Sequence, residues 1–97
     1  MNRFLGASAI FALLSACAMP PEGVDDASLA MFDAAVASIG CDMSSEEDYI
    51  PVELQTGLNR QQVLDIAAYK IETKDGVALS NGGFRLKTGA CADTGLV

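Results

Sequence analysis

The chain has 97 residues, enough for one small domain, and carries 13 acidic but only 6 basic side chains, a net charge of −7 at neutral pH. This charge repels nucleic-acid phosphates, so we expect no nucleic-acid partner. The sequence has no histidine and no glycine-rich phosphate loop, which removes the commonest devices of acid–base, nucleophilic and metal chemistry. We therefore predict no enzymatic activity, no cofactor, no metal site and no small-molecule substrate.

Residues 1–16 have the layout of a secretory signal peptide. Arg3 supplies a positive charge, residues 4–14 form an uncharged apolar stretch, and small residues follow. As a helix this stretch covers about 16 Å, whereas a membrane-spanning helix must cross about 30 Å of hydrocarbon. We expect residues 1–16 to be removed during export. Residues 17–97 then carry one negative charge more than the whole chain, because Arg3 is lost.

The tetrapeptide Leu14-Ser15-Ala16-Cys17 resembles the lipobox of bacterial lipoproteins. In that family the cysteine is lipidated and becomes the first residue of the mature chain. The resemblance implies that Cys17 anchors the protein to a membrane. It also implies the outer membrane, facing the periplasm, because Ala18 and Met19 stand where an aspartate retains family members in the inner membrane.

Ordinary cleavage is the alternative at this position. Ala16-Cys17-Ala18 also fits the small-x-small pattern of a simple secretory site. Cys17 would then leave with the signal peptide, and the product would be soluble in the periplasm or secreted.

Cys41 and Cys91 remain as an even pair once Cys17 is accounted for. In an oxidising compartment such a pair forms a disulfide. Closing the intervening loop stabilises a chain of this size by about 4 kcal/mol in the chain-entropy model. A redox-active pair is the alternative, but the sequence has no Cys-x-x-Cys spacing and no basic cluster beside either thiol.

We assign residues 17–25 to a short tether and residues 26–97 to a single domain. The first helix is predicted from about Asp26 to Ile39, with acidic residues at its start and Gly40 as its stop. Apolar residues at helical spacing predict one buried stripe, which consists of Leu29, Phe32, Val36 and Ile39.

A helical turn is predicted over residues 44–49, with a capping box formed by Ser44 and Glu47. Pro51 disfavours a continuous helix, so a separate short helix is expected from Pro51 to Thr56, ended by Gly57. The acidic residues of this region lack the alternating spacing and the central glycine of an EF-hand loop. They therefore do not predict a calcium site.

The third helix is predicted from about Arg60 to Thr73, with a capping box formed by Asn59 and Gln62. Its apolar arc is wide, with Lys70 near one edge and Tyr69 on the polar side as a candidate partner contact. The arc contains Val63, Leu64, Ile66, Ala67, Ala68 and Ile71.

Residues 77–87 predict a β-hairpin around a type I′ turn at Asn81-Gly82. In that register Leu79 pairs with Phe84 and Val77 pairs with Leu86, with all four side chains facing the helices. Arg85 and Lys87 then face outward and are further candidate partner contacts.

These elements predict an α+β fold, a small three-helix domain with a C-terminal β-hairpin and one disulfide. The order resembles a winged-helix arrangement, and Leu54-Gln55-Thr56-Gly57-Leu58-Asn59-Arg60-Gln61-Gln62-Val63-Leu64 resembles the turn and second helix of helix-turn-helix proteins. The second helix, however, has too little positive charge for a DNA backbone.

The predicted function is that of a non-enzymatic accessory protein, anchored in the membrane by its lipid, that binds a protein complex of the cell envelope. The alternative is an acidic inhibitor or immunity-type protein that occupies the site of a basic periplasmic enzyme. The anchor favours the first function.

Overall fold

The structure, a computed structural model, describes residues 19–92. Its helices are α1 (Asp26–Ser38), α2 (Glu46–Thr56) and α3 (Arg60–Glu72), and its strands are β1 (Asp42–Met43), β2 (Gly76–Ala78) and β3 (Phe84–Leu86). A 3-10 turn, Gly89–Cys91, follows the last strand. The predicted signal peptide and Cys17 lie outside the described residues, as do residues 93–97.

The predicted α+β class is confirmed, with three helices, a C-terminal hairpin and one disulfide. The strand β1 was not predicted. It pairs antiparallel with β3, so the sheet has the order β1-β3-β2. Two residues are too few to show the alternation by which a strand is recognised in a sequence.

The first helix follows the predicted pattern. Asp25 accepts a hydrogen bond from the Ser28 N–H at 2.8 Å, and this bond lowers the pKa of its carboxyl. The predicted stripe faces the core, with Phe32 and Val36 fully buried. Behind the helix, Gly40 has a φ of +101°, and the Cys41 N–H donates to the Val36 carbonyl at 2.9 Å. This is a Schellman ending, which turns the chain toward β1.

The predicted break at Pro51 is wrong, because α2 runs through it as one helix. Pro51 has no N–H to donate to the Glu47 carbonyl, which disfavours a helix locally. The next residue, Val52, is fully buried, so tertiary packing outweighs that cost.

The capping box of α2 lies one residue later than predicted. Asp48 accepts from the N–H groups of Ser44 and Ser45 at 2.9 and 3.3 Å.

The cap of α3 is confirmed, since Asn59 and Gln62 bond to each other's backbone N–H groups at 2.8 and 3.1 Å. The predicted apolar arc is too wide. Leu64 and Ile71 are 41% and 37% exposed, whereas Lys70 is only 7% exposed. Lys70 lies inside the buried stripe because its Nζ is 3.0 Å from a carboxylate oxygen of Asp33 on α1.

The predicted hairpin register is wrong by one residue. Gly76 pairs with Leu86, Val77 with Arg85 and Ala78 with Phe84. Asn81-Gly82 do not form a type I′ turn, because only Gly82 has a positive φ, of +90°.

The loop is instead closed by hydrogen bonds from the Gly82 N–H to the Leu79 carbonyl and from the Leu79 N–H to the Gly83 carbonyl, at 2.9 and 2.8 Å. This is a three-residue loop rather than a two-residue turn. As a result Val77 faces outward and is 42% exposed.

The core lies between the helices and the inner face of the sheet. The rings of Phe32 and Phe84 meet there with centroids 5.9 Å apart. Val24, from the segment assigned to the tether, also belongs to it and is 9% exposed. The predicted disulfide is confirmed, with the Cα atoms of Cys41 and Cys91 5.8 Å apart and both residues buried.

Reduction of the disulfide should lower the free energy of unfolding by about 4 kcal/mol, because the unfolded chain regains the freedom of a long loop. Urea unfolding with and without reductant measures this difference. In the Cys41→Ala/Cys91→Ala double variant the reductant should have no effect. Equal midpoints for the oxidised and reduced native sequence would contradict the account.

Gly76→Ala tests the hairpin register. A Cβ at this position would overlap the ring of Phe84 and lie 3.0 Å from the Arg85 carbonyl oxygen. We expect a loss of about 1–3 kcal/mol in the free energy of unfolding. The control, Val77→Ala, changes an outward-facing side chain of the same strand and should lose distinctly less. If Val77→Ala is the more damaging change, Val77 faces the core and the register is wrong.

Candidate functional site

The sequence-predicted contact residues do not form one site. Tyr69 is half-buried on α3, and no hydrogen bond, ion pair or ring contact within residues 19–92 joins it to Arg85 or Lys87. Arg85 was expected to face outward as a candidate partner contact. Its Nε and Nη2 donate instead to the two carboxylate oxygens of Asp42 at 2.7 and 2.9 Å.

The Asp42–Arg85 pair joins neighbouring strands at directly opposed positions. Hydrogen bonding to the Arg85 guanidinium lowers the pKa of the Asp42 carboxyl. Both side chains are about two-fifths exposed, so the pair fixes the register of β1 more than it adds stability. Arg85 is therefore mainly a structural residue in this fold.

A network centred on Arg60 connects α2 to α3, and sequence analysis missed it. The Arg60 Nη1 and Nη2 donate to the two carboxylate oxygens of Glu46 at 3.0 and 2.8 Å, and its Nε donates to Glu53. Its guanidinium carbon lies 4.6 Å from the ring centroid of Tyr49. These contacts hold α2 and α3 together.

The network shifts the titration of its members. Hydrogen bonding to Arg60 lowers the pKa of the Glu46 carboxyl, and hydrogen bonding to Glu46 and Glu53 raises the pKa of Arg60. The sequence carried a weak signal for this arrangement. Glu46 and Glu53 are two turns apart on the predicted helical segments, and Arg60 is the first residue of the next helix.

The ion pairs described above leave the surface acidic. Arg60, Arg85 and Lys70 are all bound to carboxylates of the same chain. The described residues also include acidic side chains without a basic partner, namely Glu22, Asp25, Asp26, Glu47, Asp48, Asp65, Glu72 and Asp75. An acidic surface of this kind attracts basic partners and disfavours anionic ones.

Large apolar side chains are also exposed on the helices. On α2, Ile50 and Leu54 are 44% and 79% exposed. On α3, Leu64 and Ile71 are exposed, and Ala68 between them is exposed as well. On α1, Met31 is exposed. Contiguous exposed apolar patches rimmed by polar groups are typical of protein-binding surfaces.

The described part of the chain contains no pocket and no group of side chains arranged as a metal site. None of the helices in residues 19–92 is long and apolar enough to cross a membrane.

Comparison of the chain with protein-family models finds no match, and comparison with curated proteins and solved structures finds no significantly similar protein.

Arg60→Gln tests the electrostatic role of the network. Because the pKa of Glu46 is lower in the folded state, the ion pair stabilises the fold at neutral pH, and this stabilisation is lost as the pH falls through the folded-state pKa. In Arg60→Gln the pKa of Glu46 should rise toward the ordinary value of a glutamate carboxyl. NMR titration of the Glu46 carboxyl carbon measures it.

Lys74→Gln is the matched control, because Lys74 has no acidic partner among residues 19–92. This variant removes the same charge and should leave the titration of Glu46 nearly unchanged. An equal shift in both variants would mean that Glu46 senses only the overall charge of the protein.

Proposed function

We propose that this protein is a lipid-anchored, non-enzymatic binding protein of the bacterial cell envelope. Its Cys17 is lipidated, its domain faces the periplasm from the outer membrane, and it is an accessory component of an envelope protein complex. The observation that carries the proposal is the tetrapeptide Leu14-Ser15-Ala16-Cys17 directly after a charged start and an apolar stretch.

The disulfide supports an oxidising compartment. Cys41 and Cys91 are brought together inside the core, at a distance that suits a structural disulfide. Structural disulfides persist mainly in exported proteins. The third cysteine, Cys17, stands at the position of the lipidated cysteine in the lipobox pattern.

The structure also bears on how closely an anchored domain would be held. Val24 packs in the core, and its N–H donates to the Pro21 carbonyl at 3.2 Å, so part of the segment assigned to the tether belongs to the packed domain. Only four residue steps separate Cys17 from Pro21, about 14 Å when fully extended. An anchored domain would thus meet partners that are themselves at the membrane surface.

Cys17→Ser should release the protein from its membrane, because a hydroxyl cannot take the thioether-linked lipid. Fractionation of cells that express the full precursor measures the distribution between membrane and soluble fractions. Ser8→Ala lies in the apolar stretch outside the tetrapeptide and should stay in the membrane fraction. Equal release of both variants, or a soluble native protein, would contradict lipidation.

A binding role predicts a partner, and salt dependence distinguishes the two candidate classes. Affinity capture in mild non-ionic detergent should recover membrane proteins in stable association, and Cys17→Ser should weaken this recovery. The second candidate is an inhibitor, which the acidic side chains without basic partners favour. An inhibitor should capture a soluble basic enzyme in a salt-sensitive manner, independent of Cys17. Recovery of neither would contradict both functions.

A further inference from the structure

We propose that the outer face of α3 binds a basic amphipathic helix of a partner protein. We define this outer face by the apolar residues Leu64, Ala68 and Ile71 and the acidic residues Asp65 and Glu72. The inference rests on the proposed binding function and assigns that function to one surface and one class of partner.

The apolar residues of the outer face lie on one line along the helix. Their spacing of four and then three residues repeats the pattern by which one helix packs along another. Leu64 and Ile71 are 41% and 37% exposed, and Ala68 is exposed, so the line is accessible over two turns. The small side chain of Ala68 between two larger ones leaves room for a side chain of an approaching helix.

The charges beside this line have one sign. Asp65 and Glu72 are exposed and follow Leu64 and Ile71 directly, so they flank the apolar line on one side. Asp65 accepts a hydrogen bond from the neutral amide of Gln61 at 2.9 Å, which leaves its charge in place. Neither acid has a basic partner within residues 19–92.

Both basic residues of α3 are bound to carboxylates. Arg60 bonds to Glu46 and Glu53 on α2, and Lys70 is buried against Asp33 on α1. No unpaired basic side chain of α3 therefore stands beside the outer face, which the sequence alone did not reveal. This combination excludes a phosphate backbone as the occupant and is complementary to a helix with apolar and basic faces.

The competing apolar pair on α2, Ile50 and Leu54, is less suited to such a partner. Two of its acidic neighbours, Glu46 and Glu53, share Arg60 as their partner, and the pair offers two apolar side chains where the outer face of α3 has three in line. A second copy of this chain is also a poor occupant, because two strongly acidic domains repel each other. The outer face of α3 is thus the longer exposed apolar line, and neither of its flanking acids has a basic partner within residues 19–92.

The test uses the mature protein in non-ionic detergent and a synthetic amphipathic helix of leucine and lysine, about 18 residues long, with a photocrosslinking group on its apolar face. Mass spectrometry of the crosslinked product locates the contact. We expect crosslinks within residues 61–72, binding that weakens with salt, and much weaker binding of a peptide with glutamate in place of lysine.

Leu64→Gln/Ile71→Gln should weaken binding at least about tenfold, because both central apolar contacts are lost. Ile50→Gln/Leu54→Gln, the matched change on α2, should have little effect. Asp65→Asn/Glu72→Gln should remove most of the salt dependence while the helix remains folded by circular dichroism.

Crosslinks centred on residues 50–54, equal binding of the lysine and glutamate peptides, or no binding would overturn the assignment of this face. None of these results depends on lipidation or on the identity of an envelope complex. If the cell fractionation supports anchoring while the crosslinks map elsewhere, only this inference fails. If the crosslinks map to α3 while the protein is soluble in cells, only the anchored role fails.

Discussion

The Cys41–Cys91 disulfide is the constraint on which the rest of this small fold depends. Cys41 follows α1 in a left-handed conformation, with a φ of +76°, and its carbonyl accepts from the Leu86 N–H at 2.9 Å. Cys91 lies in the turn after β3 and is fully buried. The bond thus joins the end of α1 to the end of the sheet, with α2 and α3 inside the closed loop. A core this small needs such closure because little apolar area is available to it.

Ion pairs also join the elements of the fold to one another. Lys70 bonds to Asp33 between α1 and α3, Arg60 bonds to two carboxylates of α2, and Arg85 bonds to Asp42 within the sheet. Each ion pair holds two elements in place. Together they pair Arg60, Lys70 and Arg85 with carboxylates and leave other acidic groups without a basic partner. The acidic surface is therefore in part a consequence of how the elements are held together.

Local signals predicted the elements well, and tertiary effects account for the errors. The starts and ends of the helices could be predicted because each depends on a few adjacent residues. They are the caps at Asp25 and Asn59 and the stops at Gly40 and Gly57. Three features depend instead on packing partners that are distant in the sequence. They are the continuity of α2 through Pro51, the burial of Lys70 and the hairpin register. The disulfide followed from cysteine count and compartment. The outer face of α3 could not be predicted, since Leu64 and Ile71 continue the pattern of the core.

The central claim is that an exported, lipid-anchored chain is closed by one disulfide. The most direct test is the intact mass of the protein from bacterial membranes, after alkylation without and with reduction. We predict a chain that begins at an acylated Cys17 and takes up alkyl groups at Cys41 and Cys91 only after reduction. A chain that retains residues 1–16, begins at Met19 without lipid, or is alkylated at Cys41 and Cys91 without reduction would contradict the claim.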